Sequence, residues 1–128
     1  MIRQKFFIDA ILPGANDVLR IHYRAYSRMK LEQDLVVRAC IRRARMKRME
    51  WARVGFVWHE KTNSSGQSRD PDNVRFGSKF VMDALVKENI LEDDSRFFVV
   101  GMADDFEWES KTPGVWVHLE GEWIKSKG

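Results

Sequence analysis

Cysteine is nearly missing: Cys40 stands alone among 128 residues. No intramolecular disulfide can form, a cysteine-based metal site is disfavoured, and a reducing cytoplasm is the expected compartment. Histidine is scarce as well, and His22, His59 and His118 are too scattered to suggest a metal site. No stretch approaches the roughly 20 apolar residues of a membrane span, so no membrane partner is expected. The opening "MIRQKFFIDAILPG" has too short an apolar run for a secretory signal and no small-residue cleavage site, and it reads as a strand and a turn. Apolar side chains are plentiful, at 44% of residues with 12% aromatic, which argues against disorder and supplies one core. Residues 1–128 are expected to form a single domain.

Charge is unevenly placed. Residues 1–53 carry 13 Lys/Arg against 5 Asp/Glu, and residues 54–128 carry 9 against 14, so a basic half (+8) joins an acidic half (−5). Either the two halves pair with each other, or one holds an anionic partner and the other something cationic.

Periodicity orders the elements. "KFFIDAIL" (Lys5–Leu12) is a strand ending at Pro13-Gly14, and Asn16 or Asp17 can cap a short helix to Arg20. Ser27–Arg48 reads as one long helix with Val37, Cys40, Ile41 and Ala44 on a buried face. In "ARVGFVWHE", Val54, Phe56 and Trp58 alternate as in a strand. Lys61–Ser68 is a polar loop, a helix lies within Asn73–Asn89, and Arg96–Met102 is a covered strand. "DDFEWESKTPG" reads as turn or loop before a last strand with Val115, Val117 and Leu119. The order β-α-α-β-α-β-β predicts an α+β domain, a small mixed or antiparallel sheet packed with two main helices. The last two strands are expected to form an antiparallel meander.

Four aspartates in this chain need a reason. Asp70 and Asp72 flank Pro71, which favours extended geometry at Asp70, and i, i+2 residues of an extended segment share a face. Both could address one cation. The plainer alternative is a turn opener and a helix N-cap. An EF-hand loop counted from Asp70 fails, because Val74, Arg75 and Val81 stand where a ligand, a glycine and a glutamate are required. Asp93-Asp94 follow the helix that Asn89 ends, and Asp94 returns to Asp72 only if its strand runs back along the sheet.

The ordered pattern "RDPDN…K…DAL…I…DD" resembles the RusA-type Holliday junction resolvases, metal-dependent dimeric endonucleases of phage and bacterial origin. "LPGANDVLR" with "SRMKLE" is similar to the family's N-terminal region, and "DDSRFFVVGMADDFEWESKTPGVWVHLE" to its closing strands, so the likeness spans nearly the whole chain. It implies a RusA-like fold with metal ligands at Asp70, Asp72 and Asp94, a catalytic lysine at Lys79, and an arginine before the first aspartate at Arg69. In the best-known member the lysine follows the second aspartate by four residues, where this chain has Phe76; Lys79 matches through its spacing to Asp83-Ala84-Leu85. Inside a continuous helix the three extra residues would turn Lys79 by about 60° and move it about 4.5 Å. A helix starting near Ser78, with Gly77 as the joint, would leave it in place.

The resemblance implies a crossover junction endodeoxyribonuclease of DNA recombination and repair. It would be a homodimer that cuts branched DNA by paired, symmetric nicks with Mg²⁺, Mn²⁺ being a possible substitute. A hard cation suits aspartate oxygens, lowers the pKa of a bound water and neutralises growing charge on phosphate. Arg20, Arg24, Arg28 and Lys30, with Arg69, are the expected DNA contacts, although plain surface charge is the simpler reading of each of the first four taken alone. The rivals are a non-catalytic branched-DNA-binding module of the same fold and an interaction protein that uses Trp108, Trp116 and Trp123.

Overall fold

The computed structural model describes residues 1–124. Its elements are β1 (Ile2–Ile8), α1 (Ala15–Leu19), α2 (Tyr23–Arg43), β2 (Met49–His59), α3 (Pro71–Arg75), α4 (Ser78–Lys87), β3 (Val99–Glu107) and β4 (Gly114–Trp123). The strands form one mixed sheet in the order β1-β4-β2-β3, with β2–β3 parallel and the other two pairings antiparallel. Alternation puts Phe6 and Ile8, then Val54, Phe56 and Trp58, then Val115, Val117 and Leu119 into the core on one face. Val37, Cys40 and Ile41 of α2 and Val81, Met82, Ala84 and Leu85 of α4 join the same cluster. The fold is α+β, one mixed sheet and two main helices. None of the described helices is long and apolar enough to cross a membrane.

Several boundaries differ from the sequence reading, each for a physical reason. Pairing between β1 and β4 ends at Ile8 opposite Val115, so residues 9–12 have no partner strand and the first strand stops short of Leu12. The helix expected from Asn16 or Asp17 is capped by Gly14 instead, whose N–H donates to Asp17 Oδ2 at 2.8 Å. A Cβ at Gly14 would collide with the Asn73 side chain, so α1 can sit against α3 only with glycine there. α2 starts earlier than Ser27, where the His22 ring nitrogen accepts the Arg24 N–H at 3.3 Å. It stops before Arg48 because Arg45 turns left-handed (φ 53°). Lys47 and Gln4 then exchange two hydrogen bonds of 2.7 and 3.0 Å, which tie the outgoing chain to β1. Asn89 does end α4, in the left-handed conformation (φ 59°) common just past a helix.

The closing strands do not form a meander. β2 lies between β3 and β4, and β3 runs parallel to β2 through the crossover made by α3 and α4. Nor is β3 covered: it is an edge strand with Val100 and Met102 well exposed. It also continues through Asp104–Glu107, read from sequence as loop. Trp58 Nε1 donates to Asp104 Oδ1 at 2.8 Å and Arg75 Nη2 lies 3.2 Å from Asp104 Oδ2, so this strand acid is neutralised at the helix-covered face.

Candidate functional site

Asp70 caps α3 in extended conformation (ψ 150°), and Pro71 opens the helix, so Asp72 stands in its first turn. Of the two readings of this doublet, the structure shows the turn opener and helix N-cap: the carboxylates flank the first turn of a short helix rather than alternating along an extended segment. Both are exposed. Asp70 lines an open cleft with Asn16, Lys61, Gln67, Arg69 and Asn73. Asn16 and Arg69 also line the adjoining groove that leads along α1 to Arg20. The Asn16 N–H donates to Asn73 Oδ1 at 2.9 Å, which fixes α1 to α3 at the junction of the two depressions.

Arg69 is committed inside the protein. Its Nε and Nη2 donate to the two oxygens of Glu60 at 2.7 and 2.9 Å, and Nη1 donates to the Leu12 carbonyl at 3.0 Å. Glu60 is buried, and the pair is bidentate, the geometry in which arginine binds carboxylate most strongly. Expected among the DNA contacts, Arg69 acts instead as an internal tie beside Asp70. Nothing in the spacing of Glu60 and Arg69 announces this partnership, which depends on how the 61–68 loop closes.

Asp94 is elsewhere. Because β3 is parallel to β2, the α3–α4 crossover carries the chain from the end of β2 back to its beginning. Met49 N–H bonds to the Ile90 carbonyl at 2.8 Å and Ala52 N–H to the Phe98 carbonyl at 2.8 Å, while Glu60, just past β2, holds Arg69. The 11 residues of β2 span about 30 Å, and Asp70 and Asp94 lie near its opposite ends. Asp94 lines a second cleft with Lys30, Asp83, Lys87 and Asp93. Among the described residues no three His, Cys, Asp or Glu side chains converge as a metal site. The donor chemistry of Asp70 and Asp72 suits a hard cation, which takes one or two carboxylates and keeps several waters. Within one chain, Asp94 does not join them.

The basic residues divide in the same way. Arg20, Arg24 and Arg28 are exposed, Arg24 and Arg28 lying one turn apart on α2. Lys30 faces the Asp94 cleft. Lys61, not singled out by sequence, faces the Asp70 cleft. Lys79 is exposed in the first turn of α4, its Nζ 6.0 Å from the Phe76 ring centroid. α3 and α4 are separate helices, joined by a turn at Phe76–Gly77 whose backbone stays in the helical region. Gly77 is no loose joint: a Cβ there would press on Leu12 at 2.9 Å and on the Trp58 ring at 3.3 Å. Close packing against the sheet, not flexibility, is what demands glycine.

A buried ionic cluster ties the two main helices together. Asp34 is 5% exposed on α2, with Arg38 Nη1 at 3.4 Å and Lys87 Nζ at 3.2 Å. The lysine approaches Asp34 Oδ1 off the direction of a proper hydrogen bond, so that oxygen is held by charge alone. Glu88 accepts from Arg38 Nε at 2.9 Å and from Arg42, whose guanidinium, followed by that of Arg38, draws its carboxyl below the ordinary value against the opposing effect of burial. Asp34 was detectable in the sequence, since it falls in phase with Val37 and Ile41 on the buried stripe. Cys40, also on that stripe, has its thiol pushed up by burial, as befits a packing residue. In comparisons with known proteins, no family model and no curated protein matches this chain.

Proposed function

We propose that this protein is a divalent-cation-dependent endodeoxyribonuclease that resolves four-way DNA junctions as a homodimer, in the cytoplasm, in recombination and repair. The observation that carries the reading is the place of Asp70 and Asp72: two exposed carboxylates at the first turn of α3, past the end of β2, with Asp70 lining a cleft that continues to Arg20. The resemblance in "RDPDN…K…DAL…I…DD" adds the reaction class. Mg²⁺, or Mn²⁺ in its stead, would supply a water of lowered pKa and positive charge against the phosphate. Asp70 and Asp72 would hold that ion. Arg20, Arg24 and Arg28 with Lys61 would draw the duplex arms by their phosphates, making binding strongly salt-dependent. Lys79, with a free ammonium among the described ion pairs, would add fixed positive charge near the scissile group.

Asp94 bears on the assembly. One chain keeps it about a strand's length from Asp70, whereas a homodimer offers the partner subunit's Asp94 as the missing ligand. Mixing inactive Asp72→Asn and Asp94→Asn proteins should then restore part of the cutting, because each mixed dimer carries one intact set. Absence of any recovery from a mixture shown by light scattering to contain mixed dimers would remove Asp94 from the shared site. The same separation favours a second reading, a branched-DNA-binding module without chemistry, which predicts junction binding and no cutting with either cation. Within the catalytic reading, Lys79→Ala tests the part that lysine plays. On the catalytic reading, cutting falls about 10²-fold, the scale of one lost charge-stabilising group, with junction affinity changed by less than about threefold. Equal losses in binding and cutting would make Lys79 a plain DNA contact.

A further inference from the structure

We infer that Glu60 is a positioning residue for the cation site, acting on Asp70 and Asp72 through Arg69. The inference rests on the reading of those aspartates as cation ligands. Glu60 is fixed first by its backbone: its N–H bonds to the Glu107 carbonyl at 3.0 Å, and its own carbonyl accepts the Ser110 N–H at 2.9 Å. Its buried carboxylate then takes Nε and Nη2 of Arg69, and the remaining arm of the guanidinium reaches the Leu12 carbonyl. One planar group thus joins the ends of β2 and β3, the β1–α1 linker and the residue next to Asp70.

Little else holds Asp70 from its N-terminal side. The 61–68 segment is mostly exposed and bonds chiefly to itself: Asn63 Oδ1 accepts the Ser65 and Gln67 N–H groups at 3.0 and 2.9 Å, and Thr62 pairs with Ser68 at 3.1 Å. From the other side, Asn73 is held through Asn16. The start of α3 is therefore pinned at Arg69 and at Asn73, with the two aspartates between. A ligand pair pinned in this way binds an ion without first having to be ordered, and loss of such a support typically lowers metal affinity 10- to 100-fold.

Glu60→Gln removes the charge and keeps the shape. Mn²⁺ titration of the DNA-free protein by calorimetry should show affinity weakened about tenfold or more. Cleavage of a four-way junction should be lost at low Mg²⁺ and recovered at high Mg²⁺, with junction affinity in EDTA within about twofold of wild type. Arg69→Lys, which retains the charge pair and loses the bidentate fork, should show the same pattern and serves if Glu60→Gln does not fold. A folded variant of either kind with wild-type Mn²⁺ affinity overturns the positioning role. Asp70→Asn in the same titration tells the two failures apart. If it abolishes Mn²⁺ binding while Glu60→Gln and Arg69→Lys bind Mn²⁺ as tightly as wild type, only the positioning role falls; if it binds Mn²⁺ like wild type, the ligand reading falls and this inference with it.

Discussion

Asp70→Asn and Asp72→Asn proteins are expected to bind a four-way junction at least as well as wild type and to leave it uncut, with cleavage down about 10²-fold or more. Each substitution deletes one anionic oxygen donor and changes the shape very little. Each also removes a negative charge from the start of α3, where Asp70 lines the cleft proposed to take phosphate, so binding should survive or tighten. Neither side chain contributes to the core, both being exposed, and thermal melts should stay close to wild type. Asp93→Asn is the register control. It neighbours Asp94, and its Oδ1 accepts the Asp94 N–H at 2.9 Å, yet it is not among the expected ligands and its replacement should spare cutting. A gel assay of binding in EDTA and cutting in Mg²⁺ reads both properties from the same samples.

Glu88→Gln should lower stability clearly, because it removes the charge that two arginines share. Glu88 receives Arg38 and Arg42 on a side chain that is 10% exposed, and it stands at the end of α4 where that helix meets α2. The Arg42 arm is 66% exposed and screened by water, so most of the stabilisation runs through Arg38, at 28%. Loss of a charge-assisted pair of this kind should lower the melting temperature by several degrees. The pH dependence fixes its origin. The arginines hold the Glu88 carboxyl below its ordinary 4.5, so the native state binds its proton more weakly than the unfolded chain does. The contribution is present in full above about pH 4.5 and fades as pH falls through the lower folded-state value. Urea melts should therefore show wild type and variant far apart at pH 7 and converging in acid. A gap that stays constant with pH would assign the loss to packing.

Local pattern was legible where local physics decides. The alternation of Val54, Phe56 and Trp58 and the spacing of Val37, Cys40 and Ile41 placed a strand and a helix, and both bury those residues. Asn89 marked the end of α4 because it tolerates the left-handed conformation there. Strand partnership was not legible. That β3 adds beside β2 and parallel to it depends on a crossover packed from a distance, and this one fact moved Asp94 to the far end of the sheet from Asp70. Asp104 misled for a similar reason: an acid-rich stretch reads as loop until Trp58 and Arg75, both distant in sequence, are seen to neutralise it. The pairing of Glu60 with Arg69 gave no signal, since a bidentate pair closing a polar loop has no periodicity.

The most direct measurement is incubation of the purified protein with a labelled four-way junction in Mg²⁺, with linear duplex of the same sequence and an EDTA sample alongside. The proposed function predicts paired, symmetric nicks in opposing strands of the junction, none in EDTA and none in the duplex, with Asp70→Asn silent throughout. A junction that is bound but stays intact at every Mg²⁺ and Mn²⁺ concentration, or cutting that Asp70→Asn leaves unchanged, would contradict it.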